Sequence, residues 1–128
     1  MHTLARRFIT GATILLVAAV ACERATSPAS GPGAVATKLV SPNGDDGAAL
    51  LEFSAGVQSV SAPAGTTAFL ERLPDGAVRV LLVRETPGRF EFSLRVADRA
   101  SLPTARVLDV SDAVDVPRTD VTVYRIEY

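Results

Sequence analysis

The chain of 128 residues has no tryptophan, one histidine and one cysteine, and each shortage removes a class of chemistry. His2 precedes a short apolar segment, so from residue 22 onward no imidazole is available as general base or metal ligand. Serine–histidine–aspartate triads, cysteine–histidine pairs and histidine-containing zinc sites are therefore outside the inventory. Only carboxylate chemistry is left, as a glycosidase pair or an oxygen-ligand cation site. A domain of about ninety residues gives little room for an enzymatic cleft, and no enzyme is expected. The lack of tryptophan also counts against a carbohydrate-binding face built on several stacked rings. Basic charge is scarce as well. Beyond Cys22 there are eleven basic and fourteen acidic residues, a formal charge of −3 with the signs interspersed. That balance offers no basic footprint for nucleic acid and no electrostatic attraction to anionic lipid.

What is present begins with Arg6 and Arg7, followed by an uncharged stretch from Phe8 to Cys22. The stretch is about 15 residues, whereas a hydrocarbon core of about 30 Å needs about 20. Thr10, Gly11 and Thr13 weaken its first turn further. A basic start, a short apolar run and small residues at its end describe a cleaved export signal. Ala19-Val20-Ala21-Cys22 resembles the lipobox of bacterial lipoproteins, a family that most often carries Leu where this chain has Ala19. The resemblance implies that residues 1–21 are a lipoprotein signal peptide. It further implies that Cys22 receives a diacylglyceryl thioether, becomes the mature N-terminus and is acylated on its amine. Glu23, in place of the Asp that retains such proteins at the inner membrane, implies an outer-membrane location on its periplasmic or surface face. Two alternatives stay open: Ala19-Val20-Ala21 also fits an ordinary signal peptidase, and the other is that the segment, though short for it, serves uncleaved as an anchor. Ordinary release would leave one unpaired thiol in an oxidising compartment. Lipidation alone accounts for the lone cysteine.

Residues 22–36 are small, with two prolines and two glycines and almost nothing to bury, and read as a lipidated cysteine followed by a flexible linker. Residues 37–128 read as one domain with one core, folding without a disulfide. Period-2 alternation dominates this domain. In Arg89–Val96, Phe90, Phe92, Leu94 and Val96 share one face while Arg89, Glu91, Ser93 and Arg95 share the other. Ala77–Val83 is apolar on both sides and predicts a more central strand. Pro74-Asp75-Gly76 predicts the hairpin turn joining it to Thr67–Glu71, and Pro87-Gly88 supplies the next turn. Further strands are expected at Ala49–Ser54, Val57–Val60, Ala105–Val110 and Val121–Ile126, with at most a helical turn near Ser111–Val114. Seven or eight short strands at about ten-residue spacing predict an all-β fold, a small antiparallel β-sandwich or barrel, the sandwich being preferred.

Two acidic groupings are candidate sites. Ser41–Gly47 gathers Asn43, Asp45 and Asp46, whose oxygens suit Ca²⁺, although no Glu follows at the EF-hand offset. A plain loop with Asx-turns is the simpler reading of that segment. Asp109, Asp112 and Asp115 would share a face only on a helical turn; on strands and turns they would scatter. Tyr124 and Tyr128 are read as core or rim residues rather than a stacking platform. Asp46-Gly47-Ala48, the Gly88–Val96 segment and Val121-Thr122-Val123-Tyr124 together resemble cohesin-type and related immunoglobulin-like sandwich modules, over residues 38–128. Pro42-Asn43-Gly44-Asp45 separately is similar to the start of immunoglobulin-like sorting domains. Both resemblances imply a binding domain. The expected function is a lipid-anchored, non-catalytic interaction module of the cell envelope, with a protein partner engaged through a sheet face or exposed edge. A polysaccharide- or Ca²⁺-binding surface module is the alternative.

Overall fold

In a computed structural model, which describes residues 29–128, the chain forms eight strands and, among the described residues, no helix. They are β1 (Gly33–Val40), β2 (Asp46–Phe53), β3 (Val57–Ser61), β4 (Thr66–Arg72), β5 (Val78–Gly88), β6 (Glu91–Val96), β7 (Ala105–Ser111) and β8 (Arg125–Glu127). The expected all-β sandwich is what forms. One sheet has the order β3-β6-β1-β8 and the other β4-β5-β2-β7, and the pairings that join neighbours in each sheet are antiparallel. The pairings β1 with β8, β2 with β7, β3 with β6 and β4 with β5 nest inside one another. The chain is thus a long hairpin folded over itself, with immunoglobulin-like character as two antiparallel sheets face to face.

Inward positions supply the core. Leu51 and Phe53 from β2, Val78, Val80 and Leu82 from β5, and Phe92, Leu94 and Val96 from β6 are buried together with Phe90. Phe53 and Phe92 meet across the sheets edge to face, with ring centroids 6.4 Å apart. The β4–β5 hairpin forms where the turn residues place it. Gly76 adopts φ 86°, and Asp75 Oδ1 accepts from the Ala77 amide at 3.1 Å.

The boundaries differ from expectation at both ends. β1 takes up Gly33–Ala36, four residues read as linker, and pairs them with Val96 through Ser93. What orders them lies distant in sequence. Asp98 Oδ1 accepts from the Gly31 amide at 3.0 Å, and Arg99 Nη2 donates to the Ser30 carbonyl at 3.0 Å. At the other end only Arg125–Glu127 is strand, because Asp120 Oδ1 accepts from the Thr122 amide and the Tyr124 amide bonds back to Val121. That local turn competes with the ladder that alternation predicts. The helical turn expected near Ser111–Val114 is instead a turn capped by Asp112, whose Oδ1 accepts from the Val114 and Val116 amides. The expected signal peptide at residues 1–21, Cys22 and the first part of the expected linker lie outside the described residues.

Candidate functional site

The β4-β5-β2-β7 sheet presents three rows of outward side chains, each crossing the strands. The middle row runs Phe69, Leu81, Leu50 and Asp109, and a second runs Thr67, Val83, Ala48 and Ser111. Phe69 is 57% exposed, and Leu81 and Val83 are each 37% exposed. They are neighbours in one patch. β5 is indeed an interior strand, as its apolar character predicts, but only one of its two apolar sides is covered. Contiguous apolar surface of this kind is a candidate interaction site, whereas scattered single residues would not be.

The third row is charged. Glu71, Arg79, Glu52 and Arg106 stand side by side across β4, β5, β2 and β7, alternating in sign. Arg79 Nε lies 3.1 Å from Glu52 Oε2, and Arg106 Nη2 lies 2.7 Å from Glu52 Oε1. Opposite charges on facing strand positions stabilise the sheet by about 0.2–1 kcal/mol each. They also leave a ladder of fixed sign order at one end of the apolar patch. None of these four residues stood out in the sequence, because their outward placement is periodic but their adjacency depends on strand order.

The Ser41–Gly47 loop builds a different arrangement. Asp46 is buried, at 1% exposure, and its Oδ1 accepts from Arg118 Nε and Nη2, both at 3.1 Å, and from the Tyr124 hydroxyl at 3.3 Å. Asn43 Nδ2 donates to the Tyr124 oxygen at 2.8 Å, and Arg118 Nη2 donates to the Asp45 carbonyl at 3.3 Å. Asp46 Oδ2 is buried with no hydrogen-bond partner among the described residues. Of the three candidate cation ligands, Asn43 and Asp46 are thus brought together through Tyr124, while Asp45 contributes its backbone oxygen to Arg118 and is exposed. The positive charge beside Asp46 comes from a guanidinium. No group of three or more acidic, histidine or cysteine side chains with metal-holding geometry occurs among the described residues. Asp109, Asp112 and Asp115 scatter to a sheet face, a turn cap and a left-handed position with φ 62°.

On the opposite sheet, a groove of about 630 Å³ crosses the outer face, lined by Ala36, Ser61, Pro63, Ser93 and Tyr128 among others. The small side chains of Ala36 and Ser93, directly paired between β1 and β6, make its floor. Tyr128 is 43% exposed and donates its hydroxyl to the Pro103 carbonyl, so its ring forms a fixed wall.

Comparison with known protein families, curated proteins and solved structures finds no match for this chain.

Proposed function

We propose that this chain is a lipoprotein of the bacterial cell envelope, exported through residues 1–21 and held in the outer membrane by acylated Cys22. Its sandwich domain acts without catalysis as a binding module for a protein partner. The observation that carries this reading is the patch formed by Phe69, Leu81 and Val83, an apolar sheet face set beside a charge ladder rather than scattered over the surface. A hydrophobic centre with charged residues to one side is the anatomy of a protein interface. The groove beside Tyr128 supports the second reading, a polysaccharide ligand, since a tyrosine ring held beside a floor of small residues such as Ala36 and Ser93 suits one sugar face. Cation binding at Asn43, Asp45 and Asp46 is the weaker form of that alternative, because Arg118 already neutralises Asp46.

The test is a photo-crosslinking phenylalanine analogue placed at Phe69 in the full-length chain, expressed in its own cells. One dominant protein adduct is expected, lost when the patch is broken by Leu81→Asp. Adducts only to abundant neighbours, unchanged by that substitution, would remove the protein-partner reading and move the groove to the front. Cys22→Ser in the same strain is expected to abolish lipidation and leave the precursor uncleaved. Continued processing to a soluble product would instead establish ordinary secretion.

A further inference from the structure

The charge ladder is complementary to itself under one particular rotation, and we infer that the partner covering this sheet face is a second copy of the chain. The inference rests on the protein-partner reading above and names that partner. Across the sheet the order is Glu71, Arg79, Glu52, Arg106. Place a second copy face to face, related by a twofold axis that runs parallel to the strands between the two sheets. β4 then lies over β7 of the other copy, and β5 lies over β2. Each charge of the ladder meets its opposite: Glu71 faces Arg106 twice, and Arg79 faces Glu52 twice, while in the middle row Phe69 of each copy lies over Asp109 of the other at the rim of the face. In the same arrangement Leu81 of each copy covers Leu50 of the other, closing the centre of the apolar patch. An isologous dimer requires a surface that matches itself in this way. Aligned packing of two sheets keeps strand directions within about 30°, so long Arg and Glu side chains stay in reach across the layer.

The alternative twofold, lying in the same plane but perpendicular to the strands, fails on charge. It lays the ladder of one copy over the Thr67, Val83, Ala48 and Ser111 row of the other, which has no charge to offer.

The position of the N-terminus agrees with the first axis. The ladder adjoins Phe53, the last residue of β2, and the chain turns there into Val57, which pairs through Val96 with Gly33. The ladder therefore sits at the end of the domain where β1 begins. An axis parallel to the strands keeps both of these ends on one side, as two chains tethered to one leaflet require. Four strands spaced about 4.8 Å apart and three outward rows about 6.8 Å apart give a face roughly 19 by 20 Å. Two copies together cover about 760 Å² of face, below the roughly 1,000 Å² that a stable specific interface clears and in the range of weak, transient contacts. The dimer is accordingly weak in dilute solution and favoured by tethering, which raises the effective concentration.

The decisive experiment uses full-length chains carrying two different tags, co-expressed, with the photo-crosslinker at Phe69. The expected product has twice the chain mass, carries both tags, and maps within β7, Ala105–Ser111. Glu71→Arg in both copies places two arginines against Arg106, and Arg106→Glu in both places two glutamates against Glu71. Each is expected to lower the yield of the double-tagged product about tenfold. A Glu71→Arg copy together with an Arg106→Glu copy restores both opposite-charge contacts and is expected to recover the product. A double-tagged product that maps to β4, or that ignores the charge reversals, overturns this dimer. An adduct to a different protein, with no double-tagged product, overturns the dimer and leaves the interaction-module reading standing. No adduct at Phe69 overturns both.

Discussion

Asp46 is the residue on which two parts of the fold converge. It is the first residue of β2, buried and charged, and its partners come from a loop 72 positions later and from Tyr124, 78 positions later. Such a carboxylate is held in the interior only because Arg118, itself one-quarter exposed, stays beside it. Removing one member of a buried pair costs about 3–5 kcal/mol, and an exposed pair is worth about 0–1 kcal/mol. With one partner buried and the other partly wet, Arg118→Met is expected to lower the urea unfolding midpoint, because it leaves the Asp46 carboxylate buried without its cation. Asp46→Asn with Arg118→Met is expected to cost less than the single change, since no charge is then stranded. Additive costs would mean the two groups do not act as a pair. The sequence marks Asp46 as part of a turn-rich acidic loop, and that much is legible locally. Its arginine partner is not, because Val116-Pro117-Arg118-Thr119 carries no pattern that points toward residue 46. The neighbouring Gly47 shows a similar dependence: a Cβ there would lie 2.5 Å from the Asp112 carbonyl oxygen, a contact set by how the β7 exit passes β2.

At the level of strands, alternation makes β2, β6 and β7 readable, because each buries one face and the period-2 pattern records it, while β5 is readable from its continuous apolar run. β1 was half hidden. Gly33-Ala34-Val35-Ala36 has the composition of a linker, and it is a strand only because Asp98 and Arg99 hold the segment before it against β6. β8 was overextended, since Val121 to Tyr124 alternates like a strand while Asp120 and Tyr124 bend it into a turn. β5 is the most instructive strand. Its two apolar sides predict burial on both, and the sandwich covers only the side bearing Val78, Val80 and Leu82. If the uncovered side serves association rather than folding, Leu81→Thr should change unfolding free energy by no more than about 0.5–1 kcal/mol, threonine being a good strand former. Leu82→Ala, one residue away and fully buried, should cost about 2–5 kcal/mol. Denaturant unfolding of the two variants side by side measures the contrast. Equal losses would mean that Leu81 is part of the core, and the outer face would no longer be available for a partner.

Over the whole molecule, charged groups that depend on folding are concentrated in the connections rather than the sheets. The amides of Ala100 and Gly31 hold the Asp98 carboxyl below its ordinary range, and those of Val114 and Val116 do the same for Asp112. The hydroxyl and amide of Thr122 lower Asp120, while hydrogen bonds from Lys38 and Arg125 lower Glu127. These groups tie down the start of β1, the β7 exit, the turn before β8 and the β1–β8 edge. A carboxylate with a depressed folded value contributes stability that is present above its unfolded value, near 4, and lost as pH falls through the folded one. With the only histidine at position 2, no imidazole in the sandwich titrates between pH 8 and 5 to add to this. The thermal midpoint of the protein, followed by circular dichroism, is therefore expected to hold level from about pH 8 to pH 5 and to fall below about pH 4. A fall beginning near pH 6 would show that some other buried group controls acid stability. A midpoint still level at pH 3 would show that these turn carboxylates do not hold the loops. The pairing of distant chain segments, β1 with β8 and Asp98 with Gly31, makes the acid transition a property of the whole sandwich. Its loss is therefore expected as one cooperative step, with the end strands and the tether side released together.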